Sequence, residues 1–286
     1  MLTFTIMTPQ PIRRAAVVAG TWYPGQPTRL AAEVHRFCAG VTTMVEGEIV
    51  GLVAPHAGLI YSGPVAAHAY GQLAGRSYDV IVLVGPSHHV GFEGVSIVPR
   101  GSFETPLGDV PISAGDADAI MAATPVVRDL PAAHAREHSL EMQLPFLQCM
   151  LPGVPIVPLV MGHQSRATIA ALADGLASAL ATRRPLLVAS SDLSHYQNSR
   201  RAAQLDQVIV DGVERFDPEA VERALVRFPE HACGGGPVVS VMRAARALGA
   251  GDARVLCYAD SGAVSGDTSA VVGYLAAVFG TFAAAS

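Results

Sequence analysis

Val80-Ile-Val-Leu-Val-Gly-Pro-Ser-His88-His89 is the stretch that decides the architecture. An unbroken apolar run, mostly β-branched and stopped by Gly-Pro, reads as a strand buried on both faces. Such strands belong to parallel sheets covered by helices on either side. Three further stretches repeat the design: Gly51-Leu-Val-Ala-Pro-His56, Ile156-Val-Pro-Leu-Val-Met-Gly-His163 and Leu186-Leu-Val-Ala-Ser-Ser-Asp192-Leu-Ser-His195. Each apolar run gives way to polar residues that include a histidine. In open α/β sheets ligands collect at the carboxyl ends of the strands. Imidazole is the commonest protein ligand for transition metals. Side chains delivered from separate strand ends can meet at one point, so the pattern predicts a site, and specifically a metal site.

Working outward, strand-like and helical patterns alternate along most of the chain. Strands are expected at 50–55, 79–85, 155–160, 185–190, 253–258 and 269–275, with a hairpin-like region from Gly94 to Ile112. Helices are expected at 28–38, 64–74, 115–123, 137–150, 166–181, 200–214, 218–227 and 236–248. Asp217-Pro218 starts its helix with a cap followed by proline in the first turn. No repeat or linker divides the chain. The expectation is one three-layer α/β/α domain over residues 1–286 with a mixed, largely parallel sheet, and a poorly ordered leader at 1–12.

Composition narrows the chemistry. Half of the 286 residues are hydrophobic and 15% are charged, enough apolar material for a large two-sided core. A net charge of −5 gives no support for nucleic acid or an anionic membrane as partner. All basic side chains other than histidine are arginine; the chain has no lysine. That excludes Schiff-base chemistry, lysine-bound pyridoxal phosphate and a Walker-type phosphate loop. Cys38, Cys149, Cys233 and Cys257 are scattered with no Cys-x-x-Cys pair, which fits a reduced, cytoplasmic protein. No signal peptide is expected, because no basic residue precedes the first apolar stretch. The uncharged tail from Thr268 reads as a buried strand followed by a small-residue helix or tail rather than a membrane span.

Several residues could carry chemistry. His56 and His88 are expected at the ends of adjacent strands; either alone could be a core or capping histidine, but together they favour a site. Asp192 and His195 share one loop, where the carboxylate could orient the imidazole or cap the next helix. Glu137, His138 and Glu141 form a polar stripe on a predicted helix, either solvated or an outer shell that orients metal ligands; His89 is grouped with them. Cys233 stands before Gly-Gly-Gly and a helix start, where a helix dipole would lower its pKa and make the thiolate a ligand or nucleophile.

These pieces, taken in order, are similar to a known family. Ala19-Gly-Thr-Trp-Tyr-Pro24, Ala54-Pro-His-Ala-Gly58, Tyr61-Ser-Gly63, Gly85-Pro-Ser-His-His89, Glu137-His-Ser-Leu-Glu-Met-Gln-Leu-Pro145, Ser190-Ser-Asp-Leu-Ser-His195, Cys233-Gly, Tyr258-Ala-Asp-Ser-Gly and Ser265-Gly-Asp-Thr-Ser-Ala-Val-Val-Gly-Tyr274 run nearly end to end. The chain resembles the Memo family, called AmmeMemoRadiSam system protein B in bacteria and archaea. The resemblance implies a fold like that of class III extradiol dioxygenases, which hold non-haem Fe(II) between two histidines and a carboxylate. By position, His56, His88 and Cys233 would bind the metal, with His195 as acid/base and Asp192 beside it. A thiolate in place of the carboxylate puts catechol cleavage in doubt and points to Fe(II) or copper, with zinc the alternative.

The implied function is a metal-binding, redox-active protein acting on O2 or a small organic substrate. The family name adds an expected association with radical-SAM and AMMECR-type proteins. Two rivals stand beside it: a hydrolase using zinc-activated water or the Cys233 thiol, and a non-catalytic binding or scaffold module.

Overall fold

The computed structural model describes residues 12–283. In chain order the strands are β1 (Ile12–Arg14), β2 (Gly47–Ala54), β3 (Val80–Pro86), β4 (Val95–Ile97), β5 (Gly101–Thr105), β6 (Gly108–Pro111), β7 (Val127–Asp129), β8 (Ile156–Met161), β9 (Pro185–Ser190), β10 (His195–Gln197), β11 (Asp252–Asp260) and β12 (Val271–Phe282). The helices are α1 (Pro27–Ala39), α2 (Leu59–Tyr70), α3 (Ala114–Ala123), α4 (Leu144–Met150), α5 (Arg166–Ala179), α6 (Ser199–Glu214), α7 (Pro218–Arg227), α8 (Gly235–Ala247) and the single turn α9 (Gly262–Ser265).

Because strand side chains alternate between faces, each central strand feeds two cores. Val80, Val82 and Val84 point into a core with α3, α5, α6, α7 and α8. Ile81 and Leu83 point into the opposite core with α1, α2 and α4. The same division splits Val53 from Leu52 and Ala54, and Leu187 and Ala189 from Leu186 and Val188. This is a three-layer α/β/α arrangement, and it explains why the strands read as unbroken apolar runs.

The main sheet runs β10-β12-β2-β9-β3-β8-β4-β7, with β11 also paired to β12. Its centre, β2-β9-β3-β8, is wholly parallel. The flanks are not: β12 is antiparallel to β2, β11 and β10, and β4 to β8. The sheet is therefore parallel at its core and mixed overall, because β11 and β12 form a hairpin that caps one edge. His56 and His88 do not follow adjacent strands, as the spacing suggested. The late strand β9 inserts between β2 and β3.

Local differences have local causes. The region Gly94–Ile112 divides: β4 joins the main sheet, whereas β5 pairs with both β1 and β6 in a separate three-stranded sheet. The helix expected over 137–150 begins only at Leu144, after a single 3-10 turn at Glu141–Gln143. Residues 137–140 are held open by side-chain hydrogen bonds described below. β12 continues to Phe282, so residues 276–282 are strand where a helix or tail was expected. The leader expected at 1–12 lies outside the described residues except for Ile12. No helix among the described residues is long and apolar enough to cross a membrane.

Two glycines test the packing. Gly280 sits where β12 shifts register against β2, and a Cβ there would clash with the Glu48 carbonyl oxygen. Gly115, in α3, has open space around its would-be Cβ and no positive φ. Gly280→Ala is expected to cost about 2 kcal/mol or more, whereas Gly115→Ala should leave stability unchanged or raise it by about 0.5 kcal/mol. Chemical-denaturation midpoints of the two variants measure both, and equal midpoints would contradict the register assigned to β12.

Candidate metal centre

Each parallel strand delivers a polar residue two positions past its end: His56 after β2, His88 after β3, Asp192 after β9 and His163 after β8. The first two converge. The His56 and His88 rings lie 5.2 Å apart, edge to face, and His138 joins them at 5.6 Å from His56 and 4.5 Å from His88. One nitrogen from each of the three falls within 4.8 Å of the others. His56 is fully enclosed, whereas 27% of the His88 side chain is exposed, so solvent reaches the cluster from the His88 side.

Hydrogen bonds fix which nitrogen each ring presents. Ser190 Oγ spends its one proton on the Ser139 carbonyl at 2.7 Å. Toward His56 Nδ1, 2.8 Å away, Ser190 can then only accept. His56 therefore carries its proton on Nδ1, and Nε2 keeps a bare lone pair. Gln143 Nε2 donates to the same Oγ at 2.8 Å and to the Pro55 carbonyl at 3.1 Å, while its Oε1 accepts from Tyr70. On the other side, Glu137 accepts from the His88 amide at 2.6 Å, from His88 Nδ1 at 2.8 Å and from the Ser139 amide at 2.9 Å. Burial pushes the Glu137 carboxyl up, but those hydrogen bonds, the one from the His88 ring first, hold it well below the usual carboxylate range. His88 thus donates Nδ1–H to a carboxylate and leaves Nε2 free.

Burial, reinforced by neighbouring imidazoles, drives His56 well below the ordinary imidazole range and His138 to about 4. Both rings are neutral near pH 7, the form that ligates metals. Cys233 Sγ lies 3.2 Å from His56 Nε2. Burial, with the nearby Asp192 carboxyl, raises the Cys233 thiol well above its usual value, so S–H donates to that lone pair. Against the expectation of a dipole-lowered thiol, desolvation at this half-buried position and the Asp192 carboxyl outweigh the helix start. The glycines after Cys233 are steric. A Cβ at Gly234 would strike the Ser190 carbonyl, at Gly235 Leu225, and at Gly236 Gln164. They let the loop press against the end of β9 and bring the sulfur to His56.

The remaining candidates divide. Asp192 Oδ1 accepts from the His56 amide at 2.7 Å, and burial raises its carboxyl to about 7. Among the described residues it makes no hydrogen bond to His195. That histidine opens β10, half-buried, its pKa lowered first by burial. His195 is not part of the three-imidazole cluster. Glu141 also holds no imidazole. It is fully buried, ion-paired with Arg14, and accepts from the Val17 and Val18 amides and from Tyr23 Oη at 2.6 Å. Arg14 in turn donates to the Glu137 carbonyl. His89 is exposed, its ring 6.1 Å from that of His138. His163 lies outside the imidazole cluster and lines a cleft that also reaches Cys233.

Reading residues alone assigned no role to Ser190, Gln143, Tyr70 or Arg14. Gln143 carried a usable signal, since a fully buried amide demands polar partners on both ends. The arrangement can bind a cation that accepts neutral nitrogen and sulfur donors, as transition metals do.

Residues 14–278 match the family described as Memo-like protein. The chain is 37% identical over 268 residues to a MEMO1 family protein of Methanosarcina mazei, covering 93% of this chain and 98% of that one. It is 36% identical over 283 residues to a MEMO1 family protein of Thermotoga maritima, covering 93% and 99%. The chain belongs to the Memo family.

Proposed function

We propose that this protein binds one transition-metal ion, Fe(II) or copper, through Nε2 of His56 and Nε2 of His88, and uses it on O2 or a small organic substrate. The observation that carries the reading is the pair of locked tautomers: both Nδ1 protons are committed to partners, and both Nε2 lone pairs are left for a ligand. Outer partners that fix a ligating imidazole in this way are typical of metal sites.

Two side chains are within reach of a third position. Cys233 touches His56 at 3.2 Å, within the roughly 3.1–3.6 Å that separates nitrogen and sulfur donors sharing one ion. His138 stacks on His88 and completes a three-nitrogen set. The sulfur set favours iron or copper, whereas three imidazoles suit zinc as well. We take Cys233 as the donor on its contact with His56 Nε2, and His138, which closes the three-nitrogen set, as the imidazole beside it. A bound iron or copper ion would supply electron transfer and an open coordination position.

The chain's own residues do the rest. Ser190 and Glu137 hold the two imidazoles in their ligating tautomers. Asp192 grips the His56 backbone, and Gln143 buttresses Ser190. We assign the proton-carrier role to His195, whose burial lowers its pKa. The enclosed His56 side excludes water, while the half-open His88 side admits substrate.

Protein purified without air should carry close to one iron or copper ion per chain, and His56→Ala or His88→Ala should each abolish it. In the Co(II)-substituted protein a near-ultraviolet sulfur-to-metal band should vanish in Cys233→Ser and persist in His138→Ala. Stoichiometric zinc without that band would favour a hydrolytic site; metal content unchanged in His56→Ala would end the reading altogether.

Glu137→Gln keeps the shape but exchanges a carboxylate for a neutral amide at His88 Nδ1. Metal affinity should fall by about 10–100-fold, measured by chelator competition, with far-ultraviolet circular dichroism unchanged.

A further inference from the structure

Beside the metal centre lies a cleft of about 290 Å3 lined by Val17, Val18, Trp22, His89, Arg136 and His138. His138 forms the wall between the two. Its ring packs against Trp22 at 4.4 Å, tilted by 55°, and stacks on His88 at 4.5 Å and 24°. A molecule in the cleft would therefore lie one imidazole away from the metal ligands.

The lining is chemically lopsided. It contains no carboxylate, and its one permanent charge is Arg136. Among the described residues Arg136 makes no hydrogen bond and no ion pair, whereas Arg14, close by in the fold, is fully committed to Glu141 and to the carbonyls of Glu137 and His134. A guanidinium fork without a protein partner is matched by a carboxylate, which it can hold through two parallel hydrogen bonds. Beside the His89 and His138 imidazoles the remaining wall is apolar and partly exposed: Trp22 is 39% and Val17 41% accessible. An indole face favours a flat, apolar group laid against it. The volume sits at the small end of ligand sites, about one ring with a substituent.

We propose that Arg136 recognises the anionic end of a small planar carboxylate that packs on Trp22. The nearness of this ligand to a metal rests on the function proposed above; the anion recognition rests on the cleft alone.

Trp22 is the chain's one tryptophan, so its fluorescence reports this cleft directly. The probes are benzoate and its neutral counterpart benzamide, titrated into metal-free and Zn(II)-loaded protein. Saturable quenching or a spectral shift by benzoate is expected, with benzamide weaker by about tenfold or more, the loss of one charge-assisted pair. Arg136→Gln should weaken benzoate by the same factor and leave benzamide and Zn(II) affinity unchanged. Phenyl phosphate with the same Arg136 dependence but tighter binding would overturn the carboxylate assignment in favour of a phosphate. Equal binding of benzoate and benzamide, indifference to Arg136→Gln, or no saturation by benzoate would overturn the proposal. Zn(II) binding measured in the same samples separates the two readings. Metal bound without benzoate sinks only this inference, and benzoate bound without metal sinks only the metal site.

Discussion

The site depends on how one short segment disposes of two buried carboxylates. Glu137 and Glu141 stand one helical repeat apart, yet they face different tasks. Glu137 takes three hydrogen bonds from His88 and Ser139. Glu141 takes the Arg14 guanidinium, two backbone amides and the Tyr23 hydroxyl. Arg14 closes the circuit by donating to the Glu137 carbonyl. A single run of polar contacts therefore joins the His88 imidazole to the segment that carries Trp22. Burying an ion pair gains little net stability, but stripping away one member strands the other at a cost of about 3–5 kcal/mol. What the arrangement secures is position. The His88 loop and the 14–23 segment cannot shift relative to one another without exposing an unpaired charge.

That constraint also explains why residues 137–140 are not helical. A helix continuing backward from Leu144 would have turned Glu137 and Glu141 to neighbouring positions on one face. Instead the Glu137 carboxylate folds back onto the Ser139 amide, and the Ser139 hydroxyl reaches the Pro86 carbonyl at 3.1 Å. Gly85 makes the approach possible, since a Cβ there would come within 2.6 Å of Ser139 Oγ. Backbone hydrogen bonds of an added helical turn are worth about 1 kcal/mol each. A buried carboxylate left without donors costs more than that, so the side-chain demands win and the helix starts late.

The layers were legible from the chain because apolar runs such as Val80–Val84 leave few choices for their two faces. His56 and His88 were legible because strand ends are where polar residues accumulate. The strand order was not, since nothing in local spacing says that residues 185–190 will insert between β2 and β3. A helical stripe over 137–150 would put His138 on a solvated face or in an outer shell; with the helix starting only at Leu144 its ring is free to stack on His88. The glycines at 234–236 are required by their neighbours, the Ser190 carbonyl, Leu225 and Gln164. Steric reasons of this kind depend on partners far away in sequence and cannot be inferred from the run itself.

The insertion of β9 has a consequence for how the site comes into being. Ser190 reaches His56 across 134 residues of chain, Asp192 across 136 and Cys233 across 177. None of the three is near His56 in sequence. Contacts so distant in sequence require loop-closure entropy to be overcome before they return anything. The tautomer lock on His56 therefore forms only once β9 has docked between β2 and β3, when the central sheet is complete. His88 differs, because Glu137 is 49 residues away and its partner segment packs on the near side of the sheet. The two imidazoles are thus prepared by separate parts of the fold, one by the late strand and one by the Glu137 loop. A cation bound between them would tie those parts together, so occupancy would stabilise the whole sheet and not the loop alone.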